Sequence, residues 1–351
     1  MPIVAKKYQY VVGVDTHARK HVYSLINNLG EVIDEGEIRV LERDFKYFLS
    51  RMKHRAGDFV LFAVEGTSSY GATLTRFLLA AGHAVCEVKA PKAKSRGGRG
   101  KTDQLDAEMG ARSVLHLPLD KLIQPKHGDE RGALRILLAT RAMLVKQQTM
   151  EKNALHALAR SIDLGIDARR VIRLCSIKEI AVCRARSTDT MHEAVARAEA
   201  KRLSSSIVER RQLLETNEDK LRESVNLLAP GILDFAGVGP VSAANVICAY
   251  SHKGRFRSEA AFASLAGVAP LAASSGNVVR HRLNRYGDRN LNCALNWITL
   301  TRMRYDEETQ KYIAKRTASG SSSQEIKRSL KRYIARSLFK HLEKLNLGVD
   351  L

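Results

Sequence analysis

Cysteine is sparse and unpaired in pattern. Cys86, Cys175, Cys183, Cys248 and Cys293 are scattered and odd in number. No two have the spacing of a zinc-ligand pair, which argues against a zinc module or a disulfide scaffold and for reduced thiols in the cytoplasm. Long apolar runs are also missing, so no bilayer-spanning helix is expected. The opening Met1-Pro2-Ile3-Val4-Ala5-Lys6-Lys7 has no signal-peptide apolar core. No amphipathic stretch with tryptophan and lysine anchors points to a membrane surface, and the chain has a single tryptophan. Acid is the remaining deficit: 37 Asp and Glu face 58 Lys and Arg, a net charge of +21. The basic excess falls in every part of the chain, which favours a large polyanion as partner over one local anion site. With 351 residues, 44% of them hydrophobic, there is material for two or three full cores.

One stretch organises what is present: Gly97-Gly98-Arg99-Gly100-Lys101-Thr102-Asp103-Gln104-Leu105-Asp106-Ala107. A basic glycine-rich loop that includes Lys92, Lys94, Arg96, Arg99 and Lys101 runs into a helix, with Thr102 as the expected N-cap. Asp103 and Asp106 are three residues apart and share one helical face. Two readings are open at this point. The acids can complement the helix dipole, or they can hold a divalent metal beside a phosphate backbone.

Upstream, residues 8–15, 21–27 and 32–40 read as strands, with a turn at Asn27-Asn28-Leu29-Gly30. A helix is expected over 41–55, a buried strand over 59–65, a helix over 70–81 and a strand over 84–89. Continuous apolar strands alternating with helices predict a central sheet covered on both faces. Asp15 and Glu65 each end a buried strand, where sites gather in α/β sheets. Four carboxylates supply the hard oxygens that two Mg²⁺ ions need.

Residues 129–160 and 191–228 read as two long helices flanking an insert, 161–190, which suggests an antiparallel hairpin. Solvated faces or a coiled-coil arm both fit its charges. After a boundary at Leu227-Leu228-Ala229-Pro230-Gly231, Gly237-Val238-Gly239 feeds a helix and resembles the phosphate-binding turn of helix-hairpin-helix modules. It is not a dinucleotide fingerprint, because Ser242 stands where the third glycine belongs. Ser274-Ser275-Gly276 is followed by Arg280, His281, Arg282, Arg285 and Arg289. Arginine forks match phosphate oxygens, and a serine among them can act as a nucleophile toward phosphorus. The helix expected over 291–303 places Trp297 in the core. Ser322 and Glu325 form a capping box for a terminal helix with Ile326, Leu330, Ile334, Leu338 and Leu342 as its buried stripe.

Together, Val-Val-Gly-Val-Asp15, Ala-Val-Glu65-Gly-Thr, Lys101-Thr-Asp103-Gln-Leu-Asp106-Ala, the late Ala-Gly-Val-Ala-Pro with Ser-Ser275-Gly, and Arg-Tyr-Gly-Asp-Arg-Asn-Leu resemble the DEDD transposases of the insertion-sequence one-ten family. These are also called bridge recombinases, with pilin-gene invertases as relatives, and the resemblance covers nearly the whole chain. It implies an α/β plus α architecture. Residues 1–125 would form a RuvC-like, RNase H-fold domain, 126–228 a helical coiled-coil arm, and 229–351 a mostly helical transposase domain. It implies Asp15, Glu65, Asp103 and Asp106 as Mg²⁺ ligands, and Ser275, beside Ser274, as the nucleophile that joins a DNA 5′-phosphate. Donor and target DNA, a structured guide RNA, and a homo-oligomer, a dimer assembling to a tetramer with a shared site, are the implied partners. The implied location is cytoplasmic and nucleoid-associated. A metal-only junction-resolvase-like nuclease would need the acids but not Ser275. A non-catalytic scaffold would need only the charge.

Overall fold

The structure is a computed structural model that describes residues 2–89, 100, 102–126, 128–167, 169–269, 271–272, 281–282 and 287–345. The chain divides into two compact units, Met1–His127 and Gly128–Leu351.

In the first unit, α1 (Val4–Lys7) precedes β1 (Tyr10–Thr16), β2 (Lys20–Asn27) and β3 (Val32–Arg39). Then come α2 (Glu42–Ala56), β4 (Val60–Glu65), α3 (Ala72–Ala80), β5 (Ala84–Val88) and α4 (Asp103–Leu115). The sheet order is β3-β2-β1-β4-β5. β1, β2 and β3 pair antiparallel, whereas β4 lies parallel to β1 and to β5. The antiparallel part follows from a tight turn: the Asn27 Oδ1 accepts from the Leu29 and Glu31 amides at 3.0 and 2.9 Å, and Gly30 takes φ +90°. The parallel part needs crossovers, which α2 and α3 supply. An antiparallel meander running into parallel strands is compatible with an RNase H-like architecture.

Both faces of the sheet are covered, as continuous apolar strands require. Val12, Val14, Phe62 and Val64 pack with Phe45, Phe48 and Met52 of α2 and Leu74 and Leu78 of α3. On the other face Val11, Ile26, Leu61, Ala63 and Cys86 meet Ala111, Val114 and Leu115 of α4. Helix α4 rests on β1 backbone to backbone. A Cβ on Gly13 would lie 1.9 Å from the Ala107 carbonyl oxygen and 2.8 Å from the Ala111 nitrogen. Only glycine at 13, facing a helix surface of Ala107 and Ala111, allows that approach.

The second unit contains α5 (Asp129–Ser161), α6 (Leu174–Ala181), α7 (Met191–Leu228), α8 (Pro240–Tyr250) and α9 (Glu259–Leu265). A two-residue pairing of β6 (Leu271–Ala272) with β7 (His281–Arg282) follows, then α10 (Arg289–Tyr305), α11 (Glu307–Ala318) and α12 (Ser323–Lys344). Helices α5 and α7 run antiparallel, cross-linked by Arg141–Glu218 at 2.9 Å and by Arg210, whose fork donates twice to Glu151 at 2.7 Å. The insert contributes α6, which seats Ile177 and Ile180 against Leu155, Leu203 and Ile207. The buried Arg197–Asp189 pair and the Thr190–Glu193 capping box fix the start of α7. At the other end of the hairpin, Leu134, Leu221 and Val225 share one core with Tyr250, Phe262, Leu295, Ile298 and Leu338.

The terminal stripe Ile326, Leu330, Ile334, Leu338 and Leu342 is buried, and the Ser322–Glu325 capping box is formed. Trp297 departs from its expected core position and is 61% exposed. Leu291, Ala294, Leu295 and Ile298 fill the buried stripe of α10, and position 297 falls beside it.

Candidate metal centre

Three side chains converge where β1 leaves the sheet. Asp15 is the penultimate residue of β1, one residue past Val14, which pairs with Val64 of β4. Glu65 is likewise one past Val64, so parallel register brings both acids to the same sheet edge. Asp103 and Asp106 stand in the first turn of α4, with Thr102 as N-cap, its hydroxyl accepting from the Leu105 amide at 3.2 Å. The close seat of α4 on Gly13 carries both aspartates toward Asp15.

His17 lies between the strand acid and the helix acid. Its Nε2 is 3.2 Å from Asp15 Oδ2 and 3.4 Å from Asp103 Oδ2. Among the described residues, Asp15, His17 and Asp103 bring their ligand atoms within 4.8 Å of one another. The Asp15 side chain is 10% exposed, whereas His17 and Asp103 are open at 43% and 42%. Asp106 is buried one turn further along α4. Glu65 is half-buried, and its main-chain carbonyl accepts from the Thr16 hydroxyl at 2.9 Å. The carboxylates of Glu65 and Asp106 stand outside the converging trio.

The electrostatics favour a cation here. Burial lifts the Asp15 carboxyl above the usual carboxylate range; His17 pulls it back, and the charges of Asp103 and Asp106 lift it further. Negative charge is thus crowded into a partly desolvated corner, and a divalent ion relieves that crowding. The donor set, carboxylate oxygens plus one imidazole, fits such an ion.

The turn after β1 is itself held. The His17 amide donates to Nδ1 of His21 at 3.3 Å. His21 is fully buried and stacks on Phe45 at 6.1 Å, and burial pushes its imidazole down to about 4. It is therefore neutral near pH 7, with Nδ1 free to accept.

Sequence reasoning missed His17. The available signal was a histidine two residues past a strand-ending aspartate, and only the folded turn aims it at α4.

The other expected residues are placed as follows. Gly237 takes φ +75°, and a Cβ there would lie 2.9 Å from the Ile298 carbonyl oxygen, so it serves close packing against α10. Gly239 is the N-cap residue of α8, and among the described residues nothing lies within 4 Å of where a Cβ would be. Arg289 is exposed at the start of α10. Ahead of it, Asp288 caps that helix by accepting from the Asn290 and Leu291 amides, and donates its own amide to Leu265 at 2.7 Å. Asn292 donates to the Ala266 carbonyl at 2.7 Å. These bonds tie the two late motifs together at the ends of the segment carrying the serines. Ser274, Ser275, Arg280, Arg285, Lys92, Lys94, Arg96, Arg99 and Lys101 lie outside the described residues, and Arg282 is described only by its β7 backbone.

Comparison with known proteins supplies the context. The family model for the DEDD transposases of the IS110 family matches residues 12–162. The model described as transposase IS116/IS110/IS902 family matches residues 231–314. No curated protein matches the chain. The first match takes in all four acids and His17, and the second takes in both late motifs. The chain belongs to the IS110 family of DEDD transposases, enzymes that act on DNA.

Proposed function

We propose that this transposase cuts and rejoins DNA strands by combining a Mg²⁺-binding centre of Asp15, Glu65, Asp103 and Asp106 with Ser275 as nucleophile. The observation that carries the reading is the meeting of Asp15 and Asp103 at one sheet edge, with Asp106 one turn behind. A bound divalent ion would supply Lewis acidity at a phosphoryl oxygen. Asp15 and Asp103 would hold it, and the buried Asp106 adds negative charge that favours it.

In this scheme the Ser275 hydroxyl forms a bond to the scissile phosphorus, and the bond to the DNA 3′-oxygen breaks. The serine proton passes to solvent and the departing 3′-oxygen takes one up. The covalent phosphoserine–DNA link conserves the phosphodiester for rejoining, which hydrolysis would lose. Arg280, Arg282 and Arg285 would stabilise the charge that develops on the phosphate. Lys92, Lys94, Arg96, Arg99, Lys101, Gly237, Gly239 and Arg289 would contact nucleic-acid backbones. A RuvC-like domain at 1–125, a coiled-coil arm at 126–228 and a transposase domain at 229–351 would assemble as a dimer and then a tetramer. A structured RNA would choose donor and target DNA by base pairing, with the protein reading A-form shape and 2′-hydroxyls. The reaction would take place in the cytoplasm, at the nucleoid.

The test is trapping on a suicide DNA substrate. Wild type should form a covalent adduct only with divalent metal, and Ser275→Ala should form none while still binding nucleic acid. Metal-dependent cleavage that survives Ser275→Ala without any adduct would replace this scheme with a metal-only nuclease.

A further inference from the structure

We propose that His17 is itself a ligand of the metal centre, donating Nε2 beside Asp15 and Asp103, and that it biases the centre toward manganese-class ions over magnesium. The inference rests on the reading of Asp15 and Asp103 as metal ligands and adds a nitrogen donor to it.

The geometry is specific. One imidazole nitrogen faces one oxygen from each of two carboxylates, at 3.2 and 3.4 Å, and all three ligand atoms lie within 4.8 Å of one another. Ligand atoms converging on that scale can share one ion after small side-chain adjustments, since metal–ligand bonds are about 2.0–2.2 Å long. The two carboxylates come from different elements, β1 and α4, so their meeting point is made by tertiary packing. Gly13 sets that packing, because nothing larger fits beneath Ala107.

His17 is delivered to the meeting point by its own backbone. Its amide is bound by Nδ1 of His21, a ring locked between strand and helix by stacking on Phe45. A side chain present only to neutralise surface acids would not need a buried second histidine to hold its main chain. The His17 side chain is 43% exposed, while Nε2 itself is buried without a hydrogen-bond partner among the described residues and faces the two carboxylates.

The consequence for metal choice follows from donor chemistry. Mg²⁺ demands oxygen donors and near-ideal octahedral geometry, and gives up its waters reluctantly. Imidazole suits transition-metal ions, and carboxylate suits both manganese and magnesium. Manganese, being a transition ion, takes the mixed nitrogen and oxygen set more readily than magnesium does. Replacing one oxygen ligand by Nε2 therefore lowers the relative preference for magnesium.

The experiment uses the full-length protein loaded with Mn²⁺, read by pulsed electron paramagnetic resonance for coupling to ¹⁴N, together with calorimetric titration of Mn²⁺ and Mg²⁺. Wild type should show directly coordinated imidazole nitrogen. His17→Asn should lose that coupling and weaken Mn²⁺ binding about tenfold or more, while Mg²⁺ binding changes by less than about threefold. Mn²⁺ that binds in an Asp15- and Asp103-dependent manner without nitrogen coupling in the wild-type protein would overturn the inference and leave the carboxylate centre standing. Nitrogen coupling that persists in His17→Asn would assign the donor elsewhere and also overturn it. Mn²⁺ binding that ignores Asp15→Asn and Asp103→Asn would overturn the carboxylate centre, and the inference with it. Absence of nitrogen coupling in the wild-type spectrum overturns the inference whether or not a variant folds.

Discussion

Gly13→Ala is the smallest change that should dismantle the centre without touching a ligand. The added methyl would sit 1.9 Å from the Ala107 carbonyl oxygen and 2.8 Å from the Ala111 nitrogen, where Cβ contacts essentially never fall below 3.0 Å. Both obstacles are main-chain atoms of α4, so no rotamer change relieves them. The helix must retreat from β1 by roughly 1 Å, taking Asp103 and Asp106 with it. Overpacking of this kind costs about 1–3 kcal/mol, and the backbone obstacle puts this case at about 3 kcal/mol. That corresponds to roughly a 100-fold rise in hydrogen exchange over β1 and α4 where opening of this unit limits exchange. A displacement of about 1 Å in a catalytic constellation also lowers activity on the order of 100-fold. The control is Gly110→Ala in the same helix. Among the described residues its Cβ would meet only Val88 Cγ2, at an ordinary 3.5 Å, so the change should stabilise α4 by about 0.8–1 kcal/mol through helix propensity. Exchange mass spectrometry of the two variants reads both outcomes. Gly13→Ala with wild-type exchange and wild-type Mn²⁺ affinity would refute the idea that backbone contact between β1 and α4 positions the acids.

Asp103→Asn and Asp106→Asn should each abolish strand cleavage and weaken divalent binding, with circular dichroism unchanged because Asn is tolerated at a helix start; an active variant would make that acid structural. Ser274→Ala should keep the covalent adduct and Ser275→Ala should lose it, and the reverse pattern on denaturing gels would move the nucleophile by one residue. Stability should fall as pH drops from about 6.5 toward 4, because the unfolded His21 takes up a proton that the folded ring, at about 4, refuses. Its share is complete above pH 6.5 and is lost at up to about 1.4 kcal/mol per pH unit below it. Urea midpoints of wild type and His21→Leu at pH 7.5 and 5 measure this, and equal slopes would exclude His21 as the source.

Much of the sheet unit was legible because its signals are local. Continuous apolar runs ending in Asp15 and Glu65 marked β1 and β4, and Thr102 marked the start of α4. The α5–α7 hairpin and the stripe of α12 followed from long periodicity. What escaped depends on contacts between distant parts. Helix α6 has eight residues and no lasting period, and it is held by Leu155, Leu203 and Ile207. His17 reaches the centre only through the turn fixed by His21. Gly13 looked like an ordinary residue in a strand until α4 was seated on it. The close approach of the Ile298 carbonyl of α10 to Gly237 likewise joins distant parts, and the Gly-x-Gly pattern alone does not announce it. Trp297 misled because hydrophobicity alone does not say which side of α10 faces the core.

The most direct test of the metal centre is strand cleavage of a DNA substrate carrying the element's own ends, with any co-purifying RNA retained. Wild type, Asp15→Asn and Asp103→Asn would be compared in Mg²⁺, in Mn²⁺ and in chelator. The account predicts cleavage by wild type in both metals, none in chelator, and none by either variant despite normal nucleic-acid binding. Cleavage that persists in chelator, or in both variants, would contradict it.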